Sequence, residues 1–316
     1  MDQTPELSVV VPVFNEDAVL PELQRRLSAV LAECAPAHEI IFVDDGSSDE
    51  SPTILLAASD ADPRIRVLRF SRNFGHQAAV TAGIEHAAGA AIVIIDADLQ
   101  DPPEVIPDLL AEWRAGSQVV SAVRGVREGE SPIRLALIRL FYRLIRGMSS
   151  VDLTPDVGDF RLIDRRVADA LNRLPERNRY VRGLVRWVGF KHSEVRYRRA
   201  GRFAGQTKYP YTKLIQLALD GMTSFSAVPL QLVTYLGFAV SALSLGLVGF
   251  ALISHLGGGQ IPAGWTSVFV AVAFLAGIQL VAIGILGAYV TRIFDEVKGR
   301  PLYIVAHDSK HDQSPK

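Results

Sequence analysis

Ala91-Ile92-Val93-Ile94-Ile95-Asp96-Ala97-Asp98, followed by Leu99-Gln100-Asp101-Pro102-Pro103, is a short apolar run that stops on two carboxylates and a double proline. An uninterrupted apolar run of this length reads as a strand buried on both faces, as in parallel sheets covered by helices. Similar segments alternate on both sides of it. Leu7 to Val13 is a β-branched run, Ala18 to Cys34 is amphipathic, and Ile40 to Val43 is a strand ending on the polar turn Asp44 to Asp49. A second helix-like stretch follows, then Ile65 to Phe70 as a strand and His76 to Ala87 as a helix. Pro103 to Ala115 resembles a helix opened by prolines, and Gln118 to Val123 a further strand. The pattern predicts an α/β, Rossmann-like domain on a parallel sheet. Ligands of such sheets lie at the carboxyl ends of the strands. Both acidic clusters, Asp44 with Asp45 and Asp96 with Asp98, fall there.

The chain has 316 residues, 49% of them hydrophobic, enough for one sizeable domain and an appendage. Its mean hydropathy of +0.21 has a local source. Between Gly221 and Thr291 there is no Asp, Glu, Lys or Arg. That stretch holds two segments of bilayer-crossing length, Pro229 to Ser254 and Trp265 to Thr291, joined by a turn containing Gly257, Gly258, Gly259 and Pro262. Lys208 and Lys213 flank one side and Arg292, Lys298 and Arg300 the other, which predicts that both flanks are cytoplasmic. Expected boundaries are a cytoplasmic catalytic domain over 1–210, an interfacial helix over 211–227, two transmembrane helices over 228–292 and a cytoplasmic tail over 293–316. A basic amphipathic stretch, Ser131 to Met148, reads either as a second interfacial helix or as a helix packed on the sheet with a solvated Arg face. The net charge of −1 lacks the basic footprint of a nucleic-acid binder. The single cysteine, Cys34, permits no intrachain disulfide and fits a reducing compartment. Met1 to Ser8 is polar and does not read as a secretory signal.

Two carboxylates at Asp96 and Asp98, two residues apart as they leave a buried strand, suit one hard cation, which can neutralise a nucleotide diphosphate. Val10 to Glu16 and Val43 to Asp49 suit hydrogen bonding to a base and ribose, or simply a tight turn and helix cap. Asp156 to Leu162 sets an acid and a base side by side, either as site residues or as a structural ion pair. Arg202 to Tyr209 places two cations around a glycine, either for a phosphate at headgroup level or as a topology-setting flank. No Gly-x-Gly-x-x-Gly follows the first strand, which excludes a Rossmann dehydrogenase. Gly183 stands where a processive polysaccharide synthase would have the Gln of Gln-x-x-Arg-Trp, before Arg186 and Trp187.

The ordered set VVPVFNE (10–16), VDDGSSD (43–49), RNFGHQAAVTAGI (72–84), DADLQDPPE (96–104), GDFRL (158–162) and RFAGQTKY (202–209) resembles the family-2 glycosyltransferases of the GT-A fold. More narrowly it resembles polyprenyl-phosphate glycosyltransferases, which include dolichol-phosphate mannose synthases and bacterial bactoprenol glucosyltransferases. The likeness implies an inverting transfer of a hexose, glucose from UDP-glucose or mannose from GDP-mannose, onto polyprenyl phosphate at the cytoplasmic membrane face. It implies Asp96, Asp98 and Gln100 as ligands of Mg²⁺ or Mn²⁺. Pro12, Phe14, Glu16, Asp44 and Asp45 would hold the nucleotide, and Arg124, Arg202 and Lys208 the acceptor phosphate. Asp159, beside Arg161, matches a carboxylate assigned as general base; mannose synthases typically carry serine there. A phosphate monoester has its second pKa near about 6 and needs little help to become nucleophilic. The alternative role for Asp159 is to orient Arg161 and the acceptor. Partners implied are the nucleotide-sugar, the prenyl lipid, the membrane and further copies of the chain, as a tetramer. A non-catalytic scaffold or flippase subunit would not need the acidic set.

Overall fold

The computed structural model describes residues 5–124, 157–177, 179–197 and 264–312, with scattered positions between 230 and 253. The expected interfacial segments (131–148 and 211–227) and the Arg202–Tyr209 turn lie outside the described residues, as does the side chain of Arg124.

Four parallel strands form the centre: β1 (Leu7–Val13), β2 (His38–Asp44), β3 (Ile65–Phe70) and β4 (Ala91–Ile94). Between them run α1 (Leu20–Cys34), α2 (Ser51–Ala61) and α3 (His76–His86). Their apolar runs are buried on both faces: every residue of β1 is buried, and Leu20, Leu23, Leu27 and Leu31 give α1 one core-facing stripe. Close packing of α3 on β1 rests on Gly83, where a Cβ would stand 2.0 Å from the Val10 side chain. The proline-led segment is a 3₁₀ turn, Pro103–Val105, running into α4 (Ile106–Arg114).

Beyond β4 the sheet departs from the all-parallel expectation. Its order is β7-β5-β6-β4-β1-β2-β3-β8, with eight strands. β6 (Val157–Asp164), the segment carrying GDFRL, lies antiparallel between β4 and β5 (Val119–Arg124). β7 (His192–Tyr197) pairs with β5 in parallel. The sheet is therefore mixed. Helices α5 (Arg165–Asn172) and α6 (Val181–Trp187) connect β6 to β7.

The expected tail divides: from Arg300 onward it groups with this sheet, where β8 (Val305–Asp308) pairs antiparallel with β3, while 293–299 belong to the second unit. Arg66 forks onto Asp308 at 3.0 and 2.6 Å, Tyr303 stacks on Phe70 with ring centres 5.0 Å apart, and the Tyr303 hydroxyl donates to Glu85. Edge strands need such covering.

The second unit, Ile145–Ser150 with Pro210–Gly299, contains α7 (Trp265–Lys298), which runs on past the expected end at Thr291. Among the described residues, its Phe274–Lys298 portion is the one helix long and apolar enough to cross a membrane, and Leu280, Ile283, Leu286 and Val290 on it are exposed. The other expected span, 229–254, is described only at scattered helical positions, so a two-helix hairpin is not established.

Asp308→Ala removes both carboxylate acceptors from the part-buried Arg66 fork. Charge-assisted hydrogen bonds contribute about 1.5–3 kcal/mol, so thermal unfolding of the detergent-solubilised chain is expected to shift down by several degrees. An unchanged Tm would show that the β8 edge is dispensable.

Candidate active site

The carboxyl ends of β1 and β2 are stitched together by side chains. Asn15 donates its N–H to Ser47 Oγ at 3.0 Å and accepts from the Ser48 N–H at 2.8 Å. The Glu16 N–H donates to Ser51 Oγ at 3.0 Å and the Asp17 N–H to Asp49 at 3.2 Å. Asn15 tolerates the left-handed conformation this corner imposes, with φ 55°. Gly46 meets two demands at once: its φ is +70°, and a Cβ there would stand 2.6 Å from the Arg72 backbone.

Asp44 and Asp45 have different tasks. Asp45 accepts from the Phe74 and Gly75 N–H groups at 2.6 and 2.9 Å, which fixes the entry to α3 and hence His76 at its first position. Burial raises the Asp45 carboxyl above its usual range despite those amides. Asp45 thus serves as a backbone anchor at the corner expected to hold the nucleotide. Asp44 is fully buried; its Oδ1 accepts from the Ser47 N–H at 2.9 Å, while its Oδ2 has no hydrogen bond and only the Arg69 charge at 3.3 Å. Phe14 beside it exposes 47% of its surface. An orphaned acceptor next to an exposed ring suits a nucleoside base. Pro12 is buried within β1 opposite Val43.

The second cluster follows from strand register. β6 pairs with β4 so that Ala91 faces Asp164 and Ile94 faces Arg161. Two further steps of that register bring Asp159 opposite Asp96. The alternation of β6 sends Phe160 and Leu162 into the core and Asp159 and Arg161 to the opposite face. His76 joins from α3, with Nε2 3.2 Å from Asp159 and 3.7 Å from Asp96. Arg182 joins from α6, with Nε and Nη2 donating to the two oxygens of Asp159 at 2.6 and 2.7 Å. Gln77, next to His76, accepts the Val181 N–H at 2.9 Å, tying α3 to the helix that carries Arg182.

Burial alone would push Asp159 up, but the Arg182 and His76 hydrogen bonds hold it far below the carboxylate range. Burial opposes charge on His76 as well, yet Asp159 and Asp96 raise it. Asp96 is pushed up to about 6, chiefly by burial, with His76 opposing and the Asp159 charge adding to it. Arg161 is lowered to about 10 by burial and donates to the Gly158 carbonyl at 2.7 Å, staying 4.0 Å from Asp159. The partner of Asp159 is therefore Arg182, where the sequence suggested Arg161.

The DADLQD turn carries the expected ligands Asp96, Asp98 and Gln100 close together in sequence. Asp98 accepts from the Gln100 N–H at 3.1 Å, Leu99 adopts φ 54°, Gln100 is buried, and Asp101 takes the Tyr197 hydroxyl. A left-handed, buried leucine is strained backbone of the kind found at functional turns. Among the described residues, ligand atoms of His76, Asp96 and Asp159 lie within 4.8 Å of one another. Asp96 Oδ1 is buried without a hydrogen-bond partner, and carboxylates with one imidazole suit Mn²⁺ or Mg²⁺. The donor set fits a divalent cation. His76 lay within the RNFGHQAAVTAGI motif without a role assigned to it, and Arg182 carried no signal of its own; the register of β6 and the Asp45 anchor are what bring them to the site.

A mixed sheet with an acidic corner at the ends of its first strands and a carboxylate cluster after the fourth has the GT-A arrangement of glycosyltransferases. The chain belongs to glycosyltransferase family 2: the model of "Glycosyl transferase family 2" matches residues 8–171. It is 47% identical to the Bacillus subtilis uncharacterized glycosyltransferase YkcC, over 95% of this chain and 93% of that one. It is 42% identical to the SfII prophage-derived bactoprenol glucosyl transferase of Shigella flexneri, over 95% and 97%. It is 40% identical to the prophage bactoprenol glucosyl transferase homolog of Escherichia coli K12, over 96% and 100%.

Protons compete with a cation for Asp96. With the Asp96 carboxyl pushed up to about 6 and His76 raised above its usual range, Mn²⁺ affinity is expected to fall about tenfold or more per pH unit below about 6 and to level off only once His76 has lost its proton. Calorimetric titration between pH 5 and 8 checks this, and a flat profile would remove Asp96 from the ligand set. His76→Gln is expected to weaken Mn²⁺ at every pH.

Proposed function

We propose that the chain transfers glucose from UDP-glucose to a polyprenyl phosphate, with inversion at the anomeric carbon. The observation that carries the acceptor class is the extent of the likeness: similarity to bactoprenol glucosyl transferases spans 95% of the chain, apolar C-terminal region included. Asp159 supports the glucosyl branch, since the mannose synthases that the motifs resemble typically carry serine at that position.

In this reading Asp44 and Phe14 receive the base and ribose, with Glu16 on the same corner. Asp96, Asp98 and Gln100 would hold Mg²⁺ or Mn²⁺, with His76 beside Asp96 as a further donor. When bound, the cation neutralises charge developing on the leaving nucleoside diphosphate. The acceptor enters as a phosphate dianion, so no strong base is required. Asp159 is committed to Arg182 through both oxygens, which fits a positioning role better than proton removal. The protein's contribution is then alignment of the phosphate oxygen with the anomeric carbon in an electrostatically arranged site. Arg124, Arg202 and Lys208 are proposed to grip the acceptor phosphate where it leaves the lipid surface. The apolar helix α7 is proposed to anchor the enzyme in the cytoplasmic membrane with the catalytic unit facing the cytoplasmic nucleotide-sugar pool. Assembly as a homo-oligomer belongs to the same proposal.

The test is incubation of the purified chain with undecaprenyl phosphate and a panel of UDP- and GDP-sugars, products being read by mass spectrometry. UDP-glucose is expected to yield a hexosyl-phosphoryl lipid, and excess EDTA to stop the reaction. Turnover with GDP-mannose alone would overturn the donor assignment; hydrolysis without lipid product would overturn the acceptor.

A further inference from the structure

The pair formed by Asp159 and Arg182 leaves one edge of the guanidinium over. Asp159 Oδ1 takes Arg182 Nε at 2.6 Å, and its Oδ2 takes Arg182 Nη2 at 2.7 Å and faces His76 Nε2 at 3.2 Å. A guanidinium carries five N–H donors in a rigid plane, and this fork uses two of them along one edge. The Asp159 side chain is 8% exposed and that of Arg182 36% exposed, so the pair is buried on its carboxylate side and open on its cationic side. Arg161 makes the contrast: 3% exposed and donating to the Gly158 carbonyl, it is enclosed within β6. A salt bridge whose work was only to fasten α6 would not need an arginine that keeps 36% of its side chain exposed and has N–H donors beyond the fork. A planar donor edge held at fixed angle by a carboxylate is the arrangement that recognises phosphate oxygens.

We infer that Arg182 is a phosphate-binding residue of the reacting centre, with Asp159 as the positioning residue that aims it. The inference deepens the glycosyl-transfer reading and rests on it for the identity of the phosphate. Two phosphates meet at that centre, the acceptor monoester and the diphosphate of the donor, and both offer the same oxygens.

Arg182→Gln, Arg182→Lys and Asp159→Asn in the full chain test it by steady-state kinetics with lipid and donor varied independently. Arg182→Gln is expected to lower kcat/KM by about ten- to a hundredfold, the effect of losing one charge-assisted bond. Arg182→Lys, which keeps charge but not the fork, is expected to recover part of it. If the loss falls on the lipid KM with UDP affinity intact, the acceptor phosphate is the ligand; if on UDP affinity, the donor diphosphate is. Asp159→Asn combined with Arg182→Gln is expected to cost no more than Arg182→Gln alone, since the two act as one unit. A general base at Asp159 predicts instead a larger and independent loss, and that result would overturn the positioning role. Calorimetric binding of UDP and of inorganic phosphate needs no turnover, so Arg182 is tested even if the wild type forms no lipid product. Unchanged affinity for both in Arg182→Gln and Arg182→Lys, with kinetic losses explained by a lowered Tm, would reduce the pair to a structural clamp.

Discussion

One antiparallel strand determines the chemistry of this sheet. β4 arrives from a run of parallel crossovers and ends at Ile94, just short of Asp96. β6 is hydrogen-bonded to it in a register that sets Asp164 against Ala91. The same register places Asp159 across from Asp96 without any contact between their local sequences. A slip of one residue would turn Asp159 and Arg161 into the core and Phe160 and Leu162 out of it. The core therefore enforces the register that the site needs. Phe160 is fully buried and packs edge to face on Tyr197, whose hydroxyl reaches Asp101.

Bringing carboxylates together in a buried place is unfavourable unless each acquires a partner. Here Asp159 is matched by Arg182 and His76, Asp101 by Tyr197, and Asp45 by two backbone amides. Asp44 and Asp96 are the exceptions, each with one buried oxygen left over, and the Asp96 carboxyl is raised toward neutrality. At Asp96 that imbalance fits a cation site. Asp45 shows how closely binding and scaffolding are combined: the motif that looks like a nucleotide ligand holds the loop that presents His76.

The parallel half of the sheet was legible because its strands are apolar on both faces and their helices are amphipathic. β1 and β3 ran over the same residues in sequence and structure, and β2 and β4 differed only at their ends. β6 was not legible. Its alternation puts Asp159 and Arg161 toward a polar site, so the apolar signal is broken where function requires it to be. β8 was missed because four residues, Val305–Asp308, with two polar side chains carry no strand pattern; only the exposed edge of β3 gives them a reason to pair. The acidic turn at Asp96 was found, but its partners were not. His76 and Arg182 come from helices α3 and α6, and nothing in their spacing to Asp96 announces convergence.

The proposed reaction is a single displacement at the anomeric carbon, by a phosphate already nucleophilic, in a site where Asp159 is tied to Arg182. The anomeric configuration of the purified lipid product, read from the H1–H2 coupling by NMR, tests it most directly. A β-linked glucosyl phosphate from α-linked UDP-glucose is the predicted result. An α-linked product would contradict it, because retention requires a second displacement or a front-face path that this arrangement does not provide.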